Sequence, residues 1–130
     1  MEIIGSGIDA TEISRIAASI ERYGDRFVLR VFTDGEIAYC RRTRAFASSF
    51  AARFAAKEAA MKALGTGHSQ GVFWRGIEVV RHDGPPQLRF HGGAAERCAA
   101  MGGTSSLLTI THSRDLAIAH VLLVKDTSKG

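Results

Sequence analysis

The chain has 130 residues, of which 45% are apolar and 23% charged, a composition typical of one folded globular domain and unlike that of a disordered chain. Its net charge of +4 favours an anionic partner without identifying one. No stretch approaches the roughly 18 consecutive apolar residues of a membrane span, and no signal sequence is evident, so we expect a cytoplasmic protein without a membrane partner. We expect one domain over residues 1–125 and a flexible polar tail over residues 126–130.

The first third of the chain predicts a strand and two helices. Residues 2–8 form a short apolar run whose two glycines would permit close backbone approach. A helix should follow and end at Gly24, because apolar residues recur at helical spacing: Ile13, Ile16, Ala17 and Ile20. Thr33 and Glu36 have the spacing of a capping box, which predicts a second helix that runs to about Arg42.

The middle of the chain predicts the longest helix. Ser48 or Ser49 should cap its start, and it should end at Leu64, with Gly65 as a left-handed C-terminal cap. Alanine, lysine, methionine and leucine dominate this segment, and all four favour helix.

The second half of the chain has mostly short apolar runs separated by turn residues. The pattern predicts strands over 77–81, 87–90, 106–111 and 117–124, and a helix over 93–101. Helices early in the chain and antiparallel strands late in the chain indicate an α+β domain.

Basic residues are concentrated in one segment. Between residues 40 and 62, six cations are opposed only by Glu58: Arg41, Arg42, Arg44, Arg53, Lys57 and Lys62. This excess could hold phosphate groups or an acidic protein surface, whereas a solvated helix face is the simpler interpretation of any one member.

Three residues have the chemistry of a phosphate or metal site. Asp9 lies where the first strand gives way to the first helix, and it could be an N-cap with Glu12 three residues on, or a metal ligand. Glu58 and Lys62 lie one helical turn apart, so they could form a surface ion pair or act together on a phosphate. Two carboxylates can hold Mg²⁺ on a diphosphate, and a nearby cation can neutralise the charge that develops during phosphoryl transfer.

The remaining histidines, glycines and cysteines carry weaker signals. His112 stands at a strand end, where a structural role is the commoner one. Gly65 opens a Gly-Thr-Gly segment that reads as a helix cap and turn. Cys40 and Cys98 lack metal-ligand spacing and are expected to be reduced structural thiols. The other histidines are interpreted as surface or packing residues: His68, His82, His91 and His120.

Several sequence blocks follow one another along almost the whole chain: Gly7-Ile8-Asp9 with Glu12-Ile13 and Arg15-Ile16, residues 50–59, residues 62–67, Trp74 with residues 77–79, Gly84 with Pro86, and residues 109–113. Together these blocks resemble the holo-acyl-carrier-protein synthase family of small phosphopantetheinyl transferases. The RFAAKEA segment at its distance from the Asp9 motif makes the resemblance highly specific.

The resemblance implies the family's fold, a small antiparallel sheet packed with a long central helix, and its reaction. That reaction moves 4′-phosphopantetheine from coenzyme A to a serine of an apo acyl carrier protein, releases adenosine 3′,5′-bisphosphate and serves fatty acid biosynthesis. Glu58 or a metal-bound water would be the base, and Lys62 would contact the diphosphate. The implied sites are Asp9 and Glu58 for Mg²⁺, Arg53, Lys62, Gly65 and His112 for coenzyme A, and Arg15 and Arg22 for docking the acidic carrier. A homotrimer with active sites at its interfaces is also implied.

Two other interpretations stay open on the sequence alone. A nucleic-acid-binding module is favoured by the pI near 9.5, but zinc-finger spacing and an RNA-binding aromatic signature are both missing, so we expect no nucleic-acid partner. A noncatalytic subunit that retains the fold would dock a carrier protein without turnover.

Overall fold

The structure is a computed structural model that describes residues 1–127; residues 128–130, which belong to the predicted tail, lie outside the described residues. Its elements in chain order are β1 (Glu2–Glu12), α1 (Ile13–Tyr23), α2 (Asp25–Val31), α3 (Asp34–Arg42), α4 (Phe46–Leu64), a 3-10 helix (Trp74–Gly76), β2 (Ile77–Val80), β3 (Gln87–Phe90), α5 (Gly92–Ala100), β4 (Ser105–Ser113) and β5 (Leu116–Lys125). The strands form a three-stranded antiparallel sheet in the order β1-β5-β4 and a two-stranded antiparallel sheet of β2 and β3.

Helix α4 packs on the inner face of the three-stranded sheet. The inner face of β5 is fully buried because its side chains alternate between core and surface: Ala117, Ala119, Val121 and Leu123. Strand β1 approaches α4 so closely that a Cβ on Gly7 would overlap the carbonyl oxygen of Ala59, and one on Gly5 would overlap that of Ala63. The close approach predicted for the two glycines is therefore confirmed.

The capping box of α3 forms as predicted, and it has a second role in the core. Thr33 Oγ1 accepts from the Glu36 backbone N–H, and Glu36 Oε1 accepts from the Thr33 backbone N–H at 2.9 Å. The same Glu36 carboxylate lies 2.7 Å from Lys57 Nζ of α4, and both side chains are fully buried. Burial lowers the pKa of the Lys57 ammonium, and the attraction of Glu36 opposes that shift. Lys57 is thus part of the core and not of a solvated basic face.

Two local predictions about the helices are wrong. Helix α4 begins at Phe46, and its N-cap residue, Ala45, makes no side-chain cap hydrogen bond. The Ser49 hydroxyl does not cap the helix, because it is hydrogen-bonded to the Thr43 hydroxyl at 3.1 Å. Helix α2 was missing from the predicted elements. Gly24, with a positive φ of 54°, is both the last cap of α1 and the first cap of α2, so the chain turns sharply at this one residue. No polar loop separates the two helices, and the sequence therefore gives no sign that a new helix begins.

Cys40 and Cys98 are free thiols, and both are buried. Burial raises the pKa of the Cys40 thiol to about 11, which keeps it protonated and unreactive. Within residues 1–127, the helices are too short or too polar to cross a membrane. The division into a domain over 1–125 and a tail over 126–130 stays a prediction.

Candidate active site

Asp9 lies within β1 and not at a helix N-cap. Strand β1 pairs with β5 as far as Glu12, and Asp9 is in register with Ala119. The N-cap of α1 is Glu12, and the backbone N–H of Ser14 donates instead to the Asp115 carboxylate at 3.0 Å. The N-cap interpretation of Asp9 is therefore wrong, because the strand continues for three residues beyond it.

The Asp9 carboxylate has two polar neighbours. Thr11 Oγ1 donates to Asp9 Oδ2 at 2.8 Å, and Lys62 Nζ lies 3.3 Å from Asp9 Oδ1. Lys62 also donates to the carbonyl oxygen of Ile8 at 2.9 Å. The Asp9 side chain is only 18% exposed, whereas that of Lys62 is 57% exposed, so the ammonium can exchange partners with a ligand from solvent.

The glycine contacts explain why β1 and α4 bring these residues together. Gly5, Gly7 and Asp9 point to the same face of β1, because side chains alternate along a strand. Gly5 lies against Ala63 and Gly7 against Ala59, so the two segments run antiparallel along the contact. Asp9 continues this face of β1 and contacts Lys62 of α4, and Glu58 lies one helical turn before Lys62.

Glu58 is held on the same side of α4. Its Oε2 accepts a hydrogen bond from Trp74 Nε1 at 2.8 Å and lies 3.2 Å from His68 Nε2. The Glu58 side chain is 26% exposed, and its Oε1 makes no hydrogen bond to residues 1–127. The surface pair that spacing allowed between Glu58 and Lys62 is not formed, since Lys62 lies against Asp9.

Asp9 and Glu58 are the two residues that could hold a magnesium ion shared with a phosphate ligand. Mg²⁺ binds oxygen, commonly through one or two protein carboxylates, with water and substrate phosphates completing its shell. Asp9 and Glu58 offer the two carboxylates, and Glu58 Oε1 is open. Residues 1–127 contain no group of three or more acidic, histidine or cysteine side chains placed for metal binding, so the rest of the shell would come from ligand and solvent.

Arg53 and His112 line one pocket of about 410 Å³, together with Tyr39 and Arg81. Arg53 is 5% exposed, its guanidinium lies 4.2 Å from the centre of the Tyr39 ring, and its buried Nε has no partner among the described residues. Lys62 and Gly65 do not line this pocket. The four residues assigned to coenzyme A therefore do not line one common pocket in this chain.

Gly65 lies at the far end of α4. It adopts a left-handed conformation with φ of 74°, as predicted for a C-cap. Arg97 of α5 donates to the adjacent Leu64 carbonyl at 2.9 Å, so a cation lies beside this helix end.

A basic surface extends from α1 onto α2. Arg15 and Arg22 are both exposed on α1. Arg26 and Arg30 of α2 line a cleft of about 380 Å³ whose wall includes Trp74. The docking surface predicted on α1 is therefore extended by two arginines of α2, which line the same cleft as Trp74.

Sequence reasoning missed three of these features. The sequence predicts only a surface or packing role for His68, and Trp74 enters only as part of a matching block, yet both contact Glu58. Loop conformation decides both contacts, and no local pattern encodes it. Arg26 and Arg30 do carry a signal, since they are four residues apart, but it depends on the short helix that was not predicted.

Comparison with known proteins identifies the family. Residues 5–120 match the model of the 4′-phosphopantetheinyl transferase superfamily. The chain is similar to the holo-[acyl-carrier-protein] synthase of Koribacter versatilis, at 49% identity over 122 residues that cover 93% of this chain and 98% of the relative. It is also similar to the enzyme of the same name from a strain of Methylorubrum extorquens, at 53% identity over 126 residues and 93% of each chain.

Solved structures have the same α+β fold. The holo-[acyl-carrier-protein] synthase of Neisseria meningitidis superposes with a TM-score of 0.87 at 28% identity and covers 95% of this chain and 100% of its own. That of Helicobacter pylori, solved in complex with coenzyme A, superposes with a TM-score of 0.80 at 28% identity, over 92% of this chain and 99% of its own. The predicted fold class is confirmed.

Proposed function

This chain belongs to the 4′-phosphopantetheinyl transferase superfamily, as a holo-acyl-carrier-protein synthase, and we propose that Asp9, Glu58 and Lys62 form its catalytic centre. The enzyme transfers 4′-phosphopantetheine from coenzyme A to apo acyl carrier protein, giving the holo carrier and adenosine 3′,5′-bisphosphate. The observation that carries the proposal is the contact of Asp9 with Lys62, two residues 53 positions apart in the chain, one helical turn from Glu58. The proposed setting is fatty acid biosynthesis in the cytoplasm, where the free buried thiols would stay reduced.

Asp9 and Glu58 would hold Mg²⁺. When bound, the ion would neutralise charge on the diphosphate oxygens of coenzyme A and so lower the barrier to transfer. Thr11 fixes Asp9 Oδ2, and Trp74 and His68 fix Glu58 Oε2, which leaves Glu58 Oε1 open. Asp9 Oδ1 lies against Lys62, so it would become available to the ion when Lys62 turns to the substrate.

The remaining chemistry belongs to side chains that already face the site. Glu58 or a water bound at the site accepts the proton of the carrier serine, whose oxygen attacks the β-phosphorus of coenzyme A. The bond from that phosphorus to the bridging oxygen breaks, and the bridging oxygen leaves with adenosine 3′,5′-bisphosphate. Lys62 turns from Asp9 to a diphosphate oxygen, which its exposure permits, and it stabilises the charge that develops there.

The acidic carrier would dock on the exposed arginines of α1 and α2. Arg15 and Arg22 supply the predicted contacts, and Arg26 and Arg30 extend the same positive surface to the cleft beside Trp74. A carrier bound there would have its serine next to the residue that contacts Glu58.

A homotrimer with sites shared between subunits is the proposed assembly. The outer face of the three-stranded sheet exposes large apolar side chains, among them Ile8 at 59% and Leu107 at 54%, and a second subunit could cover them. The pocket of Arg53 and His112 does not include Lys62, so one coenzyme A would reach both if each came from a different subunit.

The metal assignment is tested by measuring transfer to apo carrier over a range of Mg²⁺ concentrations. Asp9→Asn and Glu58→Gln should each raise the Mg²⁺ concentration for half-maximal rate and lower the maximal rate by at least about 100-fold. Glu96→Gln is the matched control, because its carboxylate is exposed on α5 and does not line the pocket of Arg53 and His112. If either site variant kept wild-type rate and metal dependence, the assignment would be wrong.

Shared sites are tested by mixing two inactive variants. Asp9→Asn and His112→Ala should each be impaired alone. Co-expression should restore activity, because a mixed trimer contains interfaces with an intact Asp9 from one subunit and an intact His112 from the other. No recovery in mixed trimers, verified by solution mass, would place the whole site within one subunit.

A further inference from the structure

Trp74 is placed to orient the Glu58 carboxylate. The indole N–H donates to Glu58 Oε2 at 2.8 Å. The indole ring is packed between Phe54, with ring centres 6.0 Å apart, and His68, with ring centres 4.4 Å apart. The direction of the N–H is therefore set by packing, and an indole can donate a hydrogen bond to a carboxylate but cannot accept the carboxyl proton.

The backbone of Trp74 is held by the residue that precedes Glu58 on α4. Lys57 Nζ donates to the carbonyl oxygens of Trp74, at 3.0 Å, and Ile77. Lys57 is itself fixed at 2.7 Å from the fully buried Glu36 carboxylate. Two consecutive residues of α4 therefore contact Trp74: Lys57 donates to its backbone carbonyl, and Glu58 accepts from its indole N–H.

We propose that Trp74 is a positioning residue for the transfer reaction, and that the buried Lys57–Glu36 pair acts through it. The inference rests on the proposed place of Glu58 in the catalytic centre. A glutamate side chain has three rotatable bonds, and a catalytic carboxylate must be held within a fraction of an ångström for efficient reaction. By fixing Oε2, Trp74 determines where Oε1 points.

The contact also couples the catalytic carboxylate to the cleft of α2. Trp74 forms part of the wall lined by Arg26 and Arg30. Trp74 therefore lines the cleft that the carrier is proposed to use and also orients Glu58. A carrier docked in this cleft would lie against the side chain that sets the orientation of the Glu58 carboxylate.

The kinetic test is Trp74→Phe, which keeps an aromatic ring and removes the N–H. It should lower kcat roughly ten-fold with KM for coenzyme A changed less than about two-fold, because substrate contacts stay and only the carboxylate orientation is lost. Its urea unfolding midpoint should match that of wild type. Phe73→Leu is the control, since Phe73 is exposed beside Trp74, and it should keep wild-type kcat. A wild-type kcat for Trp74→Phe, or parallel losses of kcat, substrate affinity and stability, would overturn the proposal.

A second readout uses the fact that Trp74 is the chain's single tryptophan. Without ligands, Glu58→Ala should shift the tryptophan emission maximum, because the indole N–H loses its carboxylate partner. Identical emission in wild type and Glu58→Ala would mean that the contact is not made in solution, and the proposal would fail. The proposed function fails by a different result, a Glu58→Gln enzyme with wild-type kcat, so the two failures are distinguishable.

Discussion

Replacing Lys57 with methionine should be among the most damaging changes available in the core. Methionine has a similar length but no charge, so it leaves the fully buried Glu36 carboxylate without its cation. It also leaves the carbonyl oxygens of Trp74 and Ile77 without their donor. Removing one partner of a buried pair costs about 3–5 kcal/mol. Since domains are stable by only about 5–15 kcal/mol, Lys57→Met should lose about a fifth or more of the free energy of unfolding.

Urea unfolding followed by circular dichroism measures this loss, at one fixed protein concentration because subunit association adds to apparent stability. Lys57→Met combined with Glu36→Gln should be more stable than Lys57→Met alone, because the second change removes the uncompensated charge. Arg41→Met is the control; its exposed pair with Asp25 should contribute less than about 1 kcal/mol. A loss below about 1 kcal/mol for Lys57→Met, or simple addition of the two single effects, would refute this reasoning.

Three further predictions concern other parts of the structure. Gly7→Ala should destabilise the protein by about 3 kcal/mol in urea unfolding, because its Cβ would overlap the Ala59 carbonyl and push β1 from α4, whereas Ser6→Ala on the opposite face should be nearly neutral; equal stabilities would contradict the close contact. Arg22→Glu should raise KM for the acidic carrier by roughly ten-fold and leave KM for coenzyme A unchanged, with the difference shrinking at high salt; an unchanged carrier KM would remove α1 from the docking surface. Burial raises the pKa of Glu78, but hydrogen bonds from His91 and Thr33 and the charge of His91 outweigh it, so the pKa lies below its ordinary value of 4.5. The stability that Glu78 adds over Glu78→Gln should therefore be complete above that value and be lost as the pH falls through the lower folded-state pKa; a difference in unfolding free energy that stayed constant into acid would exclude this linkage.

Periodicity and capping patterns predicted most of the elements, because those signals are local. Thr33 and Glu36 encode the start of α3 in four residues, and the long α4 follows from its composition. The predicted start of α4 was wrong because the Ser49 hydroxyl is hydrogen-bonded to Thr43, a contact that helix-capping patterns do not predict. Helix α2 was missed because Gly24 joins two helices without a loop.

The site was only partly predictable for a different reason. Family resemblance pointed to Asp9, Glu58 and Lys62, and the structure brings Asp9 and Lys62 into contact beside Glu58. Their meeting depends on the glycines of β1 against the alanines of α4, a match between segments about 50 residues apart. Trp74 reaches Glu58 through a loop whose path is set by the buried Lys57, so it could not be predicted from spacing.

The most direct test of the central claim is intact-mass spectrometry of an apo acyl carrier protein incubated with this enzyme, coenzyme A and Mg²⁺. The account predicts a gain of one phosphopantetheine with wild type, none after chelation of the metal, and a greatly slowed gain with Glu58→Gln. An equal gain in the presence of chelator, or at wild-type rate with Glu58→Gln, would contradict it.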